Sequence, residues 1–485
     1  ARTFGKHDLS AMFLFQQSQK NYVGESANNS EKALPYRHQG IAGRITYNYD
    51  NRYFVEGNFG YNGSENFSPN HRFGFFPSIA VGYVVSNEKF FEPIRDVVSM
   101  VKLKASYGLV GNDQIGGDRR FIYNETVIGG GKYYFGTTPS QYTSVRLGEF
   151  PNPNVGWEKA KKFNLGADLS FFNQLNISVD YFKENREGIF LQRKSIPMYV
   201  GLSTKPWVNI GKMRNSGIDA SLEYHQPLGK DLHLTVRGNF TYARNRIMDQ
   251  DEPDYAYTYM NHSGQMQWQK FGLVAAGLFQ DQEDIDSWAK QSFGEVKPGD
   301  IKYLDLNGDG IVDNYDTKPI GYSDIPEIVY GFGFSLQWKA FDLSAFFQGV
   351  AHVSFSTLTD QTQAFVGRNL KESSVFADLY GNTWTPENPG AKYPRMTTGA
   401  IDNNNQLSTF WMANGRYLRL KNLELGYTLP KRIANKIAMQ SLRVYLSGVN
   451  LFTFSPFKLW DPDLQTGATN YPNNRIINLG LTIGF

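Results

Sequence analysis

The sharpest chemical signal in this 485-residue chain is the run Asp305-Leu-Asn-Gly-Asp-Gly-Ile-Val-Asp-Asn-Tyr-Asp316. Oxygen-bearing side chains fall at loop positions 1, 3, 5, 9 and 12, and Gly310 stands at position 6, which is the spacing of a calcium loop of the EF-hand kind. Alternation is needed because Asp305, Asn307 and Asp309 must wrap one ion while Gly310 makes the sharp turn and the carbonyl of Ile311 reaches back from position 7. The expected ligands are Asp305, Asn307, Asp309, Ile311, Asp313 and Asp316, holding Ca2+ in a structural role that pins a long loop. Two features depart from the pattern: Asp316 stands where a bidentate Glu would close the site, and no amphipathic helix flanks it. An Asp/Asn/Gly turn that binds nothing has the same composition.

Catalysis finds little support. The seven His are dispersed, with no His-Glu-x-x-His, no Gly-x-Ser-x-Gly and no pair of carboxylates set apart by spacing as acid and base. Cysteine is absent, which removes disulfides, thiolate zinc sites and thiol nucleophiles together. Gly129-Gly-Gly-Lys132 lacks the upstream Gly of a phosphate loop and reads as a flexible loop. The chain is therefore not expected to be an enzyme. Six aromatic residues in loop-like segments, Tyr255, Tyr257, Tyr259, Trp268, Trp384 and Trp411, are candidates to stack on sugar rings or peptide side chains, with packing inside the loops as the competing reading.

The elements that carry these residues are strands. Leu232, Leu234, Val236, Phe240 and Tyr242 alternate with His233, Thr235, Arg237, Asn239 and Thr241, and Val101, Leu103, Ala105, Tyr107 and Leu109 alternate with Lys102, Lys104, Ser106 and Gly108. This period of two marks strands with one apolar face. Such segments lie near 7–17, 40–49, 53–62, 74–85, 101–110, 162–171, 175–183, 215–225, 232–244, 328–338, 341–351, 416–429, 441–451 and 474–485, about fourteen in all. In the segment from 416 the apolar phase moves from Leu418 and Leu420 to Leu423, Leu425 and Tyr427, which predicts a bulge near Asn422. Helical patterns are few and short, at 283–291 and 431–439.

Connections alternate between tight turns, such as Tyr49–Tyr53, Phe171–Leu175, His225–Lys230 and Trp338–Phe341, and long loops near 111–161, 245–327 and 352–415. Short turns at one end and long loops at the other are the asymmetry of an outer-membrane barrel. Aromatics gather at the tight turns (Tyr49, Tyr53, Phe171, Phe172, Trp338, Phe341, Tyr427, Phe485), as in an interfacial girdle. Aromatic residues make up 15% of the chain and charged residues 20%, with a net charge of +3. The two signs are scattered, so nucleic acid is not an expected partner. No apolar run approaches the roughly 20 residues of a spanning helix, so a membrane would be crossed by strands. Ala1-Arg-Thr-Phe-Gly-Lys-His7 has no signal-peptide pattern, so an exported protein would need its leader upstream. The fold class is all-β, a transmembrane antiparallel β-barrel, with a soluble, secreted β-rich binding protein as the rival.

A series of phrases, in order, resembles the SusC/RagA-like family of TonB-dependent outer-membrane transporters of Bacteroidetes-type bacteria. They are Val101-Lys-Leu-Lys-Ala-Ser-Tyr-Gly-Leu-Val-Gly-Asn112, Asn152-Pro-Asn-Val-Gly-Trp-Glu158 with Phe163-Asn-Leu-Gly166, and Asn215-Ser-Gly-Ile-Asp219. Pro298-Gly-Asp-Ile-Lys-Tyr303 follows, then Trp384-Thr-Pro-Glu-Asn388 with Tyr393-Pro-Arg395. Tyr417-Leu-Arg-Leu-Lys-Asn422, Gly426-Tyr-Thr-Leu-Pro430, Asn450-Leu-Phe452 and Asp461-Pro-Asp463 close the series.

The resemblance implies a plugged barrel of about 22 strands, of which residues 1–485 would be the C-terminal part, with the plug and first strands absent and the long loops extracellular. It further implies active import of a bulky nutrient, an oligosaccharide or a peptide, beneath a SusD-like surface lipoprotein. Energy would come from the TonB complex through the missing N-terminal region, with outer-membrane lipid around the barrel. A passive outer-membrane pore or structural barrel is the alternative.

Overall fold

The computed structural model describes residues 1–22, 34–116, 119–138, 140–202, 204–359, 362, 376–397, 399–437, 439–468 and 470–485. These residues divide into two units, one of Ala1–Asp219 with Arg244–Asp254, the other of Ala220–Ala243 with Tyr255–Phe485. The long strands Trp207–Pro227 and Leu232–Asp249 contribute residues to each.

In the first unit the strands His7–Lys20, Tyr36–Tyr49, Tyr53–Ser64, Phe73–Val84, Val98–Asn112, Glu158–Phe171 and Leu175–Gln192 each pair antiparallel with the next, and a short strand, Arg2–Phe4, pairs with the first. In the second unit Leu232–Asp249, Ile328–Trp338, Phe341–Ala351, Tyr417–Thr428, Ser441–Phe454 and Ile476–Gly484 do the same. Every strand expected from alternation is present, most of them longer than the apolar stripe that revealed them. The link between the strands expected at 175–183 and 215–225 is accordingly only 193–206.

The turns explain the tight registers. Tyr49 faces Tyr53 across Asp50 and Asn51, both left-handed at φ 53° and 51°, and Phe171 faces Leu175 across Phe172 and Asn173, both at 53°. Asp and Asn tolerate that region better than most residues, and its twist matches that of the flanking strands. The expected bulge is found: Leu420 and Asn422 pair with Phe347 and Phe346 while Lys421 is skipped, and the next strand shows the same shift.

Three expectations need correction. The helix placed at 283–291 is only Gln282–Asp286, capped by Asp281, whose side chain accepts from the Asp284 amide. It stops because Lys290–Gln291 is drawn into a parallel pairing with Ile311–Val312. The helix at 431–439 is one short turn, Lys431–Ala434, followed by a tighter turn, Asn435–Ile437. Gly129-Gly-Gly-Lys132 is not a loop but part of the strand Val127–Phe135, which pairs with Ser140–Leu147 and absorbs the glycines in a bulge between Gly129 and Lys132.

Each strand pattern sorts charge from apolar bulk. On one face Lys104 Nζ lies 2.9 Å from Asp168 and 3.0 Å from Asp180, and in the second unit Arg443 bonds Glu424 at 2.5 Å and Asp342 as well. The other face exposes Ile45, Val55, Ile79, Val81, Leu103 and Leu165 in the first unit and Phe332, Leu425, Leu446, Leu479 and Leu481 in the second. Apolar surface repeated over so many neighbouring strands is far more than a water-facing sheet sustains, and it suits lipid.

Candidate functional site

The long segments 245–327 and 352–415 are not structureless. Lys270–Gly272 pairs with Lys318–Ile320, Ala275–Leu278 with Ile301–Tyr303, and Ser354–Ser356 with Met412–Asn414. Together they enclose an apolar core of Leu273, Leu278, Ile301, Tyr303, Val312, Leu379, Trp384, Tyr393 and Trp411. Its polar centre is Asp300, fully buried, which receives Arg395 Nε at 2.8 Å and Nη2 at 3.1 Å, Asn404 Nδ2 at 2.9 Å and the Lys297 amide at 2.8 Å. Asn404 Oδ1 in turn accepts from the Ile301 amide at 2.8 Å, and Asn403 Nδ2 donates to the Ile301 carbonyl at 2.7 Å. Burial pushes the Tyr303 phenol up from its ordinary range, and its hydroxyl donates to Asn403 O at 2.8 Å.

This core settles the place of two stacking candidates. Trp384 is 8% exposed and Trp411 2% exposed, with Trp411 Nε1 donating to Asn404 O at 2.8 Å. Both rings pack into the interior of the loops and do not project as free stacking platforms, against the expectation from sequence. Trp268, 60% exposed with φ 65°, does present its ring. Tyr257 and Tyr259 stack at 5.3 Å, Tyr257 meets Tyr315 edge-on at 6.2 Å, and Tyr255 lies 6.1 Å from His262. These three tyrosines are half-buried.

The Asp305–Asp316 segment forms a compact turn with Gly308 and Gly310 in the left-handed region at φ 79° and 85°, conformations that glycine adopts without strain. Asp305 accepts from the amides of Gly308 and Gly310 at 2.7 and 2.8 Å, Asn307 from Asp309 at 2.9 Å, Asp309 from Ile311 at 2.8 Å, and Asp313 from Tyr315 at 2.7 Å. Asp316 is fully buried and takes the amides of Leu306 and Asp313 at 2.7 and 2.8 Å. The side chains thus bond to the turn's own backbone, and among the described residues no three acid or imidazole groups meet at metal-binding spacing. Ile311 is exposed. Burial and the nearby charge of Asp316 push the Tyr259 phenol up, and its hydroxyl donates to Tyr315 O at 2.8 Å.

Arg419, buried among the loops' roots, is a residue whose role sequence reading missed. It donates from Nη1 to Asp463 at 3.2 Å, from Nε to Thr453 at 3.0 Å and from Nη2 to Asp461. Tyr417 Oη adds a bond to Asp463 at 2.7 Å. The signal was available: an Arg inside an apolar strand pattern needs an acid partner, and Asp461-Pro-Asp463 is the nearest acidic pair in sequence.

A many-stranded antiparallel sheet with charges on one face, lipid-compatible residues on the other and aromatics at the tight turns defines the class as a membrane β-barrel protein. The chain belongs to the TonB dependent receptor-like β-barrel family, whose model matches residues 3–451; proteins of this family sit in the outer membrane and are receptors and transporters, not enzymes. It is 29% identical over 472 residues to TonB-dependent receptor P3 of Formosa agariphila, covering 92% of this chain and 45% of that protein. It is 27% identical over 470 residues to TonB-dependent receptor SusC of Bacteroides thetaiotaomicron, covering 91% and 43%. The chain therefore spans about half the length of the curated relatives it matches. The structure of the RagAB peptide transporter superposes with a TM-score of 0.75 at 22% identity over 99% of this chain and 54% of that one, a likeness of fold.

Proposed function

We propose that the chain serves as the barrel part of a TonB-dependent importer of a bulky nutrient, an oligosaccharide or a peptide, working with a SusD-like surface lipoprotein at the mouth formed by its long loops. The family match over residues 3–451 carries this reading. The ion-paired face of the strands supports it, because a charged inner wall suits a wet or plugged lumen. Loops with a core of their own give a fixed surface on which a ligand or a lipoprotein can seat. A strain lacking the gene should lose growth on, and uptake of, at least one class of oligosaccharide or peptide. Undiminished uptake of every one tested would overturn import and leave a passive or structural barrel.

A second proposal concerns the Asp305–Asp316 turn, where we infer that Ca2+ binds in a structural role. The alternate oxygen spacing and the two left-handed glycines support it. Asp305, Asn307, Asp309, Asp313 and Asp316 would supply side-chain oxygens and Ile311 its carbonyl.

A further inference from the structure

We propose that a cleft of about 520 Å³ in the second unit is a subsite for an extended peptide bearing apolar side chains and a carboxylate. The inference rests on the import reading and names its ligand class. The volume lies within the roughly 300–1,000 Å³ of ordinary ligand pockets, and three features of the lining select the ligand.

One border of the cleft is the strand Met412–Asn414, whose strand neighbour in its two-stranded sheet is Ser354–Ser356. Thr357 N donates to Trp411 O at 2.7 Å and Gly415 N to Val353 O at 3.0 Å. Antiparallel alternation then turns Trp411, Ala413 and Gly415 toward the partner strand and the backbone groups of Met412 and Asn414 toward the opposite edge. One of those groups, the Met412 amide, reaches Thr409 O at a long 3.4 Å. An extended chain laid along such an edge gains main-chain hydrogen bonds and sends alternate side chains into whatever pockets flank it.

Three phenyl rings supply the apolar part of the lining. Phe376, Phe410 and Phe457 line the cleft. Phe457 is held edge-on to Phe355 at 5.0 Å and to Trp460 at 4.6 Å, while Phe376 stacks on Trp460 at 5.8 Å. Phenyl rings offer no hydrogen bond, and the polar groups beside them are mostly committed. Thr357 Oγ1 donates to Trp411 O at 2.9 Å, and Asp378 accepts from Lys392 at 2.5 Å and from Tyr393 at 2.7 Å. The backbone edge and the Lys458 ammonium are what remain to a ligand, an arrangement that suits an extended peptide.

The third feature is charge. Lys392 is balanced by Asp378, but Lys458, exposed at the cleft, has no ion-pair partner among the described residues. One ammonium in excess beside apolar walls favours a carboxylate on the ligand.

The test uses the full-length protein in detergent and the fluorescein-labelled peptide Ala-Phe-Val-Glu-Phe-Ala, with its Glu-to-Lys counterpart and maltoheptaose as comparators. Wild-type protein should bind the acidic peptide, and Lys458→Glu should weaken it about tenfold, which is 1.4 kcal/mol, and prefer the Lys counterpart. Lys458→Met, which keeps the stem and drops the charge, should show a smaller loss. Of two peptides N-methylated at alternate residues, only the phase that blocks the edge-facing amides should lose binding. Failure of wild type to bind the peptide, equal loss for both methylated phases, or displacement by maltoheptaose but not by unlabelled peptide would overturn the proposal. A deletion strain with an uptake defect but a protein that binds no peptide would refute this ligand and leave import standing, whereas peptide binding without any uptake defect would support the subsite and refute import.

Discussion

Replacing Arg395 with Ala should loosen the loop core without unfolding the strands. Asp300 is fully buried and Arg395 is its bidentate partner, with about a quarter of the Arg side chain exposed. Removing one partner of a buried pair costs about 3–5 kcal/mol. Here the Lys297 amide and Asn404 Nδ2 still donate to the carboxylate, and water can reach the side from which Arg395 comes, so the loss is set lower, at about 2–3 kcal/mol. At 1.4 kcal/mol per tenfold, opening becomes roughly 30- to 150-fold more frequent. Hydrogen exchange followed by mass spectrometry reads this directly at the amides of Ile301 and Tyr303, which lie against Asn404 and Gln291, with the strand Leu232–Asp249 as internal control. Arg395→Lys should recover only part of the protection, because an ammonium cannot make the two parallel bonds. Unchanged exchange at 300–304 in Arg395→Ala would show that the apolar core alone holds the loops and would refute the assignment of Asp300 as their polar centre.

Three other outcomes are expected. In a chelator-controlled titration, wild type should bind Ca2+ and Asp305→Ala and Asp309→Ala should lose affinity by tenfold or more; equal affinity in all three would remove the calcium assignment. Lys392 and the Tyr393 hydroxyl hold the Asp378 carboxyl below its ordinary range, so its stabilising contribution is present above the unfolded pKa of about 3.9 and is lost as pH falls through the lowered folded value. Exchange in 376–397, corrected for intrinsic rates, should therefore rise below about pH 4, and a flat profile would contradict this. Deleting Lys421, the residue skipped by the pairing, leaves Leu418, Leu420, Leu423 and Leu425 in one regular alternation, so the folded, heat-modifiable gel band should persist, whereas its loss would mean that the bulge itself is needed to build the strand.

The strands were legible because lipid demands an apolar side chain at every second position, and that demand is local. Their ends were not, because beyond the lipid neither face needs to be apolar: Trp207-Val-Asn-Ile-Gly-Lys-Met-Arg214 continues a strand with no clean alternation. The hairpin of Val127–Phe135 and Ser140–Leu147 was hidden by its glycines, which read as a loop until the bulge is seen to accommodate them. Trp384 and Trp411 could not be sorted from Trp268 because their environment is supplied from about a hundred residues away, through Ile301 bonded to Asn403 and Asn404. An aromatic residue in a loop looks the same in sequence whether it packs or projects.

The phrases that carry the family resemblance acquire a physical meaning when their contacts are traced. Pro298-Gly-Asp300 and Tyr393-Pro-Arg395 are far apart in the chain and meet as one buried ion pair, with the Arg395 amide also donating to Gly299 O at 3.0 Å. Tyr417-Leu-Arg419 and Asp461-Pro-Asp463 meet as another. Asn152, which opens a third phrase, donates to Trp207 O at 2.8 Å, and Trp157 within it donates to Arg72 O at 3.1 Å. Residues of this kind have no role in spanning a bilayer, and each would be unfavourable if buried alone. Their function is to tie long loops to one another and to the strand ends. Loops so bound present a fixed surface, which is what the proposed import reading requires of them. The cleft bordered by Met412–Asn414 is built on that same fixed frame, since Tyr393 and Trp411 belong at once to its lining and to the loop core.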